Sequence, residues 1–119
     1  MILAKRVYEK PFPKEGSRVL VDRLWPRGIR KGEIELDLWL KEIAPSNELR
    51  RWFNHDPKKW EDFKKRYFRE LKSKDQLVGG VIDLEKKKKK VYLLYSAKNK
   101  TLNQAVALEE YINRKKNRK

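Results

Sequence analysis

Two arginines that follow a short apolar run are the residues of this chain best suited to bind an anion. Residues 19–21 are Val-Leu-Val, and they lead into Asp-Arg-Leu-Trp-Pro-Arg-Gly at 22–28. Arg23 and Arg27 carry planar guanidinium groups, which bind phosphate or carboxylate through paired hydrogen bonds. A strand ending in such residues delivers them to the edge of a sheet, where α/β proteins bind ligands. We therefore predict that Asp22, Arg23, Trp25 and Arg27 form one wall of a ligand site.

A second set of polar residues follows the apolar run at 91–95. Ser96 and Lys98 come directly after it, and residues 101–104 (Thr-Leu-Asn-Gln) have the pattern of a capping box that begins a helix. A helix start offers unpaired backbone N–H groups and the positive end of the helix dipole. Asn103 adds an amide donor. Of Arg50 and Arg51, one is expected beside the packed face of another predicted helix, pointing to the pocket, and the other in solvent; Arg50 is the candidate for the site. Together with the first wall, these residues predict an anion pocket.

Either arginine of the first wall has an alternative role in an internal ion pair. The partner in that case is Asp22, Glu33, Asp37 or another carboxylate. For one arginine alone, the two interpretations stay open. The clustering of several donors at the end of a strand favours ligand binding.

The single histidine, His55, is the candidate catalytic residue. An imidazole titrates near neutral pH and can act as a general acid or base. His55 precedes Asp56 and Pro57, however, an order typical of a helix N-cap followed by the first helical residue. The alternative interpretation is that His55 is a loop residue packed on a neighbouring tryptophan, Trp52 or Trp60.

Strand patterns separated by helical patterns predict an α/β fold. The expected architecture is a single domain with a small, mainly parallel sheet of three to four strands and helical crossovers. Strands are predicted at 2–8 (as an edge strand), 18–24 and 91–95. The last two would lie parallel and end on the same edge, which would bring the two sets of polar residues together.

The helices are predicted from apolar spacing and caps. Residues spaced by three and four predict a first helix that ends at Pro45: Leu36, Trp39, Leu40 and Ile43. Ser46 caps a second helix, and Asp56 caps a third with an apolar stripe over residues 60–71. Gly79-Gly80 predicts a broken helix between 73 and 90. The last helix is expected to begin at the capping box, with Gln104 reaching back to Thr101.

The net charge of +15 indicates a second possible partner, a nucleic acid. The lysines at 86–90 and the basic C-terminal tail at 114–119 supply five positive charges each, which leaves +5 for the rest of the chain. Such segments bind phosphate backbones and release counterions. The alternative is a solvated surface of the kind common in thermophiles, rich in Lys, Glu and Arg.

Several classes of protein are excluded by what the sequence lacks. The chain has no cysteine and one histidine, so neither a disulfide framework nor a structural zinc site is expected, and no metal or cofactor is predicted. It contains no P-loop and no dinucleotide fingerprint. It also lacks an apolar run long enough to span a membrane and a signal-peptide pattern, so we expect a cytoplasmic protein without membrane contact.

Four segments carry a family resemblance. They are Asp-Arg-Leu-Trp-Pro-Arg-Gly at 22–28, Ala-Pro-Ser at 44–46, Trp-Phe-Asn-His-Asp-Pro at 52–57 and Leu-Tyr-Ser-Ala-Lys at 94–98. With these segments the chain resembles the YeaO-like family of small bacterial and archaeal proteins over about residues 19–111. The resemblance implies a compact α/β fold. It implies no particular activity, substrate or catalytic residue.

The chain departs from the family pattern at the start of its last helix. Family members commonly carry an Asp a few residues before His-Asn, where this chain has Asn99 and Leu102-Asn103. The comparison implies that a His-and-Asp pair is missing here. If that pair carries chemistry in relatives, this chain is expected to bind a ligand without turning it over.

Overall fold

Four parallel strands form the centre of the protein in a computed structural model that describes residues 1–9 and 14–117. They are β1 (Ile2–Arg6), β2 (Ser17–Leu20), β3 (Leu38–Trp39) and β4 (Val91–Tyr95), in the spatial order β1-β4-β2-β3. Every pair is parallel. The predicted α/β class, the parallel sheet and the edge position of β1 are confirmed. The carboxyl ends of β2 and β4 lie side by side, since Leu20 pairs with Leu94.

Four helices cover one face of this sheet. They are α1 (Asn47–Phe53), α2 (Trp60–Lys72), α3 (Asp75–Lys88) and α4 (Gln104–Lys116). Short 3-10 turns precede α1 and α2, at Lys41–Ile43 and Pro57–Lys59. Alternate strand residues such as Val19 and Leu93 pack against the helices and are fully buried. Ser46 and Asp56 accept the predicted capping hydrogen bonds at the starts of α1 and of the turn before α2.

The opposite face of the sheet is covered by the loop between β2 and β3 rather than by a helix. Leu20 and Leu94 pack there against Trp25, Ile29 and Trp39. The two indole rings meet edge to face, with their centroids 5.3 Å apart. Because the sheet is buried on both faces, β4 is apolar throughout, and β2 runs into the apolar stretch at residues 19–21.

The predicted first helix is wrong. Leu38–Trp39 form β3, which pairs with Val19–Leu20 of β2, and only Lys41–Ile43 make a 3-10 turn. Apolar residues spaced by three and four fit a helix, but here they come from an edge strand and the turn that follows it. The Trp39 indole N–H donates to the backbone oxygen of Asp22 at 2.7 Å, which ties β3 to the end of β2.

Two other helix predictions are corrected as well. α3 is continuous through Gly79-Gly80, because burial of Val78 and Val81 outweighs a cost of about 1 kcal/mol per glycine. The N-cap of α4 is Asn103, whose side chain accepts from the Val106 N–H at 3.0 Å. Gln104 does not reach back to Thr101, because its side-chain amide bonds to Asp22 instead.

Candidate functional site

Asp22 is the centre of a polar cluster at the carboxyl edge of the sheet. It follows β2, and its carboxylate accepts from both the backbone N–H of Ser96, at 3.0 Å, and the Ser96 hydroxyl, at 2.6 Å. Ser96 follows β4, so this contact joins the ends of two adjacent strands. The side-chain amide of Gln104, in the first turn of α4, donates to the other carboxylate oxygen. The expected meeting of the strand ends and the last helix therefore occurs, and it occurs around an acid.

Burial sets the electrostatics of this cluster. Asp22 is only 8% exposed, and burial raises the pKa of its carboxyl above the ordinary value. The hydrogen bonds from Ser96 and Gln104 and the positive charge of Arg50 act in the opposite direction, but burial outweighs them. Folding thus places a carboxyl group where its charged form is less stable than in water.

Arg50, in α1, carries a positive charge that acts to lower the pKa of Asp22, although no ion pair joins the two among the described residues. One of its terminal nitrogens donates to the Asn47 side chain at 3.1 Å. Its Nε–H is buried and has no hydrogen-bond partner among the described residues. A buried N–H group without a partner is uncommon in folded proteins. Of the predicted site residues, Arg50 is the one with a buried donor that has no partner among the described residues.

Arg23 is occupied by the polypeptide itself. Its guanidinium donates to the backbone oxygens of Ala44 and Pro45 at 3.2–3.4 Å, and it lies 3.8 Å from the exposed carboxylate of Glu42. These contacts hold the turn between β3 and α1 against the end of β2. They resemble the internal-pairing alternative, although the main partners are carbonyl groups rather than a carboxylate.

Trp25 and Arg27 lie in the loop on the other face of the sheet. The Trp25 indole N–H donates to the Ile29 oxygen at 2.6 Å, so this ring has a packing role. Arg27 is exposed at a cleft of about 390 Å³ whose floor includes Val7 and Ile34. The Tyr8 hydroxyl donates to the Arg27 backbone oxygen at 2.7 Å. No contact among the described residues joins Arg27 to Asp22.

The start of α4 has already used part of its hydrogen-bonding capacity. The Asn99 side-chain oxygen accepts from the backbone N–H groups of Thr101 and Leu102 at 2.9 and 3.0 Å. Asn103, which is 2% exposed, caps the helix and donates to the Asn99 backbone oxygen at 2.9 Å. Lys98 is exposed in the same loop. The expected free N–H groups at 101 are therefore not free, whereas the predicted point charge of Lys98 is accessible.

His55 lies in a left-handed turn between α1 and α2. Its φ is 55°, its side chain is exposed, and its ring centroid is 6.3 Å from that of Phe53. This position is close to the loop-residue interpretation, with Phe53 as the neighbouring ring. None of the contacts of the described residues links His55 to Asp22, Arg50 or Ser96.

The basic C-terminal segment is partly helical and ion-paired. Arg114, Lys115 and Lys116 form the last turn of α4, and they lie 2.7–3.0 Å from the carboxylates of Glu110, Asp75 and Glu85. Residues 118–119 of the predicted tail lie outside the described residues. The lysines at 86–88 end α3 with exposed side chains.

Gln104 is the cluster member that sequence reasoning assigned incorrectly. An amide at the fourth position of a capping-box pattern is expected to bond within its own helix, so its contact with Asp22, 82 positions away, was not predicted.

Within the described residues, no group of three potential metal ligands is close enough to hold an ion, and no helix could span a membrane.

Comparisons with a family model and with known proteins agree on the family of this chain. Residues 1–119 match the family model described as the inactive DUF488-N3 subclade. The chain is 44% identical over 111 residues to the uncharacterized protein YeaO of Escherichia coli, a match that covers 93% of this chain and 96% of that one. An uncharacterized protein of Mycobacterium tuberculosis is 52% identical over 66 residues, or 56% of each chain. No solved structure matches significantly. This chain therefore belongs to the YeaO-like DUF488 family.

Proposed function

We propose that this protein binds a small molecule bearing a phosphate or carboxylate group at the carboxyl edge of its sheet. The observation that carries the proposal is the Arg50 guanidinium, which has a buried Nε–H without a partner beside the Asp22 cluster. Because this N–H is covered in the structure, a ligand oxygen reaches it only when the Arg50 side chain turns outward, and it then satisfies the donor. Guanidinium groups bind planar anions in this way through Nε and a terminal nitrogen together.

Asp22 supports the proposal as a positioning residue. Both of its oxygens already accept hydrogen bonds from Ser96 or Gln104, so its own capacity to bind a ligand is largely used. Its negative charge attracts Arg50 and fixes the end of β4. It also repels an anion placed directly against it, so the anionic group of the ligand must lie against Arg50 rather than against Asp22.

Ser96 narrows the class of ligand further. Its hydroxyl hydrogen is directed to Asp22 at 2.6 Å, which leaves the lone pairs of the oxygen available. An oxygen of this kind accepts a hydrogen bond from a ligand O–H or N–H. The preferred ligand therefore carries a donor close to its anionic group, as hydroxy acids, amino acids and sugar phosphates do. Lys98, which is exposed nearby in the chain, adds a point charge that favours phosphate.

Binding without turnover agrees with two further facts. The matching family model is described as an inactive subclade. The only histidine of the chain is exposed in a turn and packs near Phe53. We therefore propose a ligand-binding protein in which His55 has no catalytic role.

The test is a thermal-unfolding screen with inorganic phosphate, glycolate, serine and ribose 5-phosphate. A ligand at 100 times its dissociation constant stabilises the folded state by about 2.7 kcal/mol. Arg50→Gln should abolish the stabilisation. Arg50→Lys should weaken binding at least tenfold, because lysine keeps the positive charge but lacks the planar guanidinium group with its paired N–H donors. Arg51→Gln is the matched control, since Arg51 is an exposed neighbour on the same helix. Equal stabilisation of the Arg50 and Arg51 variants would contradict the proposal.

A further inference from the structure

The exposed face of α2 carries a line of positive charges. Lys65, Arg69 and Lys72 are spaced by four and three residues, so they lie along one side of the helix, over about 10 Å. All three are exposed. The apolar stripe of the same helix, including Phe63 and Tyr67, faces the core on the opposite side. The charged face is therefore fixed in direction by the packing of α2.

These three charges are not neutralised within the described part of the chain. Lys65, Arg69 and Lys72 form no ion pair there, whereas Arg114 and Lys116 of α4 lie 3.0 and 2.7 Å from carboxylates. Like charges three or four residues apart destabilise a helix by about 0.2–0.5 kcal/mol per pair. Glu61 and Asp62, four and three residues before Lys65 on the same helix, offset part of this cost, and a polyanionic partner would remove the remainder.

A stacked arginine extends this face toward α1. The Arg66 guanidinium lies 4.0 Å from the centre of the Trp52 ring, and the Lys59 amino group lies 5.1 Å from it. Such cation–π contacts restrict the long side chain of Arg66. A shallow depression of about 370 Å³ lies between Arg66 and its neighbours Asp62, Lys65 and Arg69. Three of its four lining residues are cations.

We infer that this face of α2, defined by Lys65, Arg66, Arg69 and Lys72, binds the phosphate backbone of a nucleic acid. A line of cations about one helical turn apart suits a chain of regularly spaced phosphates better than one compact anion. The face offers no exposed apolar side chain that could insert into a membrane, because Phe68 packs against Tyr111 of α4. The contacts are to phosphates alone, so binding is independent of base sequence.

The test compares two triple variants of the full chain that lose the same charge. Lys65→Gln/Arg69→Gln/Lys72→Gln removes the α2 line, and Lys86→Gln/Lys87→Gln/Lys88→Gln removes three exposed lysines of α3. Fluorescence anisotropy measures binding of a labelled duplex DNA and of a single strand of the same length between 50 and 200 mM salt. Circular dichroism confirms that both variants are folded.

The expected result is a binding constant that falls steeply with salt concentration. With about four phosphates contacted, the wild type should bind duplex with a slope of log K against log salt near −3.6. The α2 variant should lose at least tenfold in affinity at 50 mM salt and reduce that slope by about 2.7. The α3 variant should change affinity less than threefold. An equal loss in both variants, a greater loss in the α3 variant, or no binding of either nucleic acid by the wild type would overturn the inference.

Discussion

Replacing Asp22 by asparagine separates the charge of this residue from its hydrogen bonds. The asparagine oxygen can still accept from the Ser96 N–H and hydroxyl. The Gln104 side chain can rotate to present its oxygen to the new amide N–H, so the third contact is also kept. Only the negative charge is lost. The substitution therefore tests whether the fold needs an ionised group at this buried position.

The sign of the effect follows from the pKa of Asp22. Burial raises the pKa of its carboxyl in the folded protein above the ordinary value of 3.8. The folded state consequently binds the proton more tightly than the unfolded state does. The contribution of Asp22 to the free energy of unfolding is therefore fully present below pH 3.8, and it is lost as the pH rises through the raised pKa. Asparagine does not titrate, so Asp22→Asn should gain stability relative to wild type as the pH rises.

The magnitude can be bounded with alanine as a reference. Asp22→Ala removes all three hydrogen bonds to a charged acceptor, and each such bond is worth about 1.5–3 kcal/mol. Solvent at the sheet edge compensates in part, so we expect Asp22→Ala to cost about 3 kcal/mol. Asp22→Asn should stay within about 1 kcal/mol of wild type, since it keeps the bonds.

The assay is urea unfolding of wild type, Asp22→Asn and Asp22→Ala at pH 4, 5, 6 and 7. The difference between wild type and Asp22→Asn cancels the titration of other carboxylates, because both proteins share them. This difference should move in favour of asparagine with rising pH. If Asp22→Asn is as unstable as Asp22→Ala at every pH, the fold requires the charge and the reasoning about burial is refuted.

Three further predictions concern stability alone. Glu85 lies 2.5 Å from the Met1 amino group and 2.7 Å from Lys116; burial raises the pKa of its carboxyl, but these contacts outweigh burial and lower it. The stabilisation of the folded state by Glu85 should therefore be lost as the pH falls below about 4.5, through this lowered pKa. Urea unfolding of Glu85→Gln should show neither this stabilisation nor its dependence on pH. Gly80→Ala should raise the unfolding free energy by about 0.5–1 kcal/mol, since it lies inside α3 with open space around it. Gly16→Ala should lower it by at least about 1 kcal/mol, because its φ is +82° and a Cβ would lie 2.7 Å from the Lys90 oxygen.

The sheet was predictable because its central strands carry their own signal. The runs at 19–21 and 91–95 are rich in β-branched and aromatic residues, and both are buried on two faces. The helix between them has an equally plain signal, a stripe of large apolar residues with a cap at Asp56. Two adjacent parallel strands necessarily end on the same edge. The meeting of Asp22 with Ser96 was therefore accessible to sequence reasoning.

The edge strand β3 was not accessible in the same way. It has two residues, and its partner strand supplies the hydrogen bonds that define it. A two-residue strand is too short to show alternating apolar and polar residues. The neighbouring apolar residues at 36, 40 and 43 have the three- and four-residue spacing of a helix. The contact that fixes it, from the Trp39 indole to the Asp22 backbone, joins positions 17 residues apart and leaves no trace in local spacing.

The partners of the arginines were hidden for a related reason. Arg23 binds two backbone oxygens, and every residue has a backbone oxygen, so no residue type marks these partners in the sequence. Arg27 is four positions from Arg23, which on a strand or helix would suggest a shared site. Here an irregular loop carries Arg27 to the opposite face of the sheet, beside Val7 and Ile34. Sequence proximity is a poor guide to spatial proximity in such loops.

The polar cluster at the sheet edge favours binding over catalysis on chemical grounds. A general base needs a free lone pair directed at the substrate, and the carboxylate of Asp22 already accepts three hydrogen bonds from the protein, which occupy most of its lone pairs. Ser96 directs its hydrogen to Asp22, and the one imidazole of the chain lies in the turn after α1 near Phe53. Two groups keep unused hydrogen-bonding capacity, the covered Nε–H of Arg50 as a donor and the hydroxyl oxygen of Ser96 as an acceptor. In the function we propose, this pair would hold and orient a hydroxylated anion, and neither member would take a proton from it.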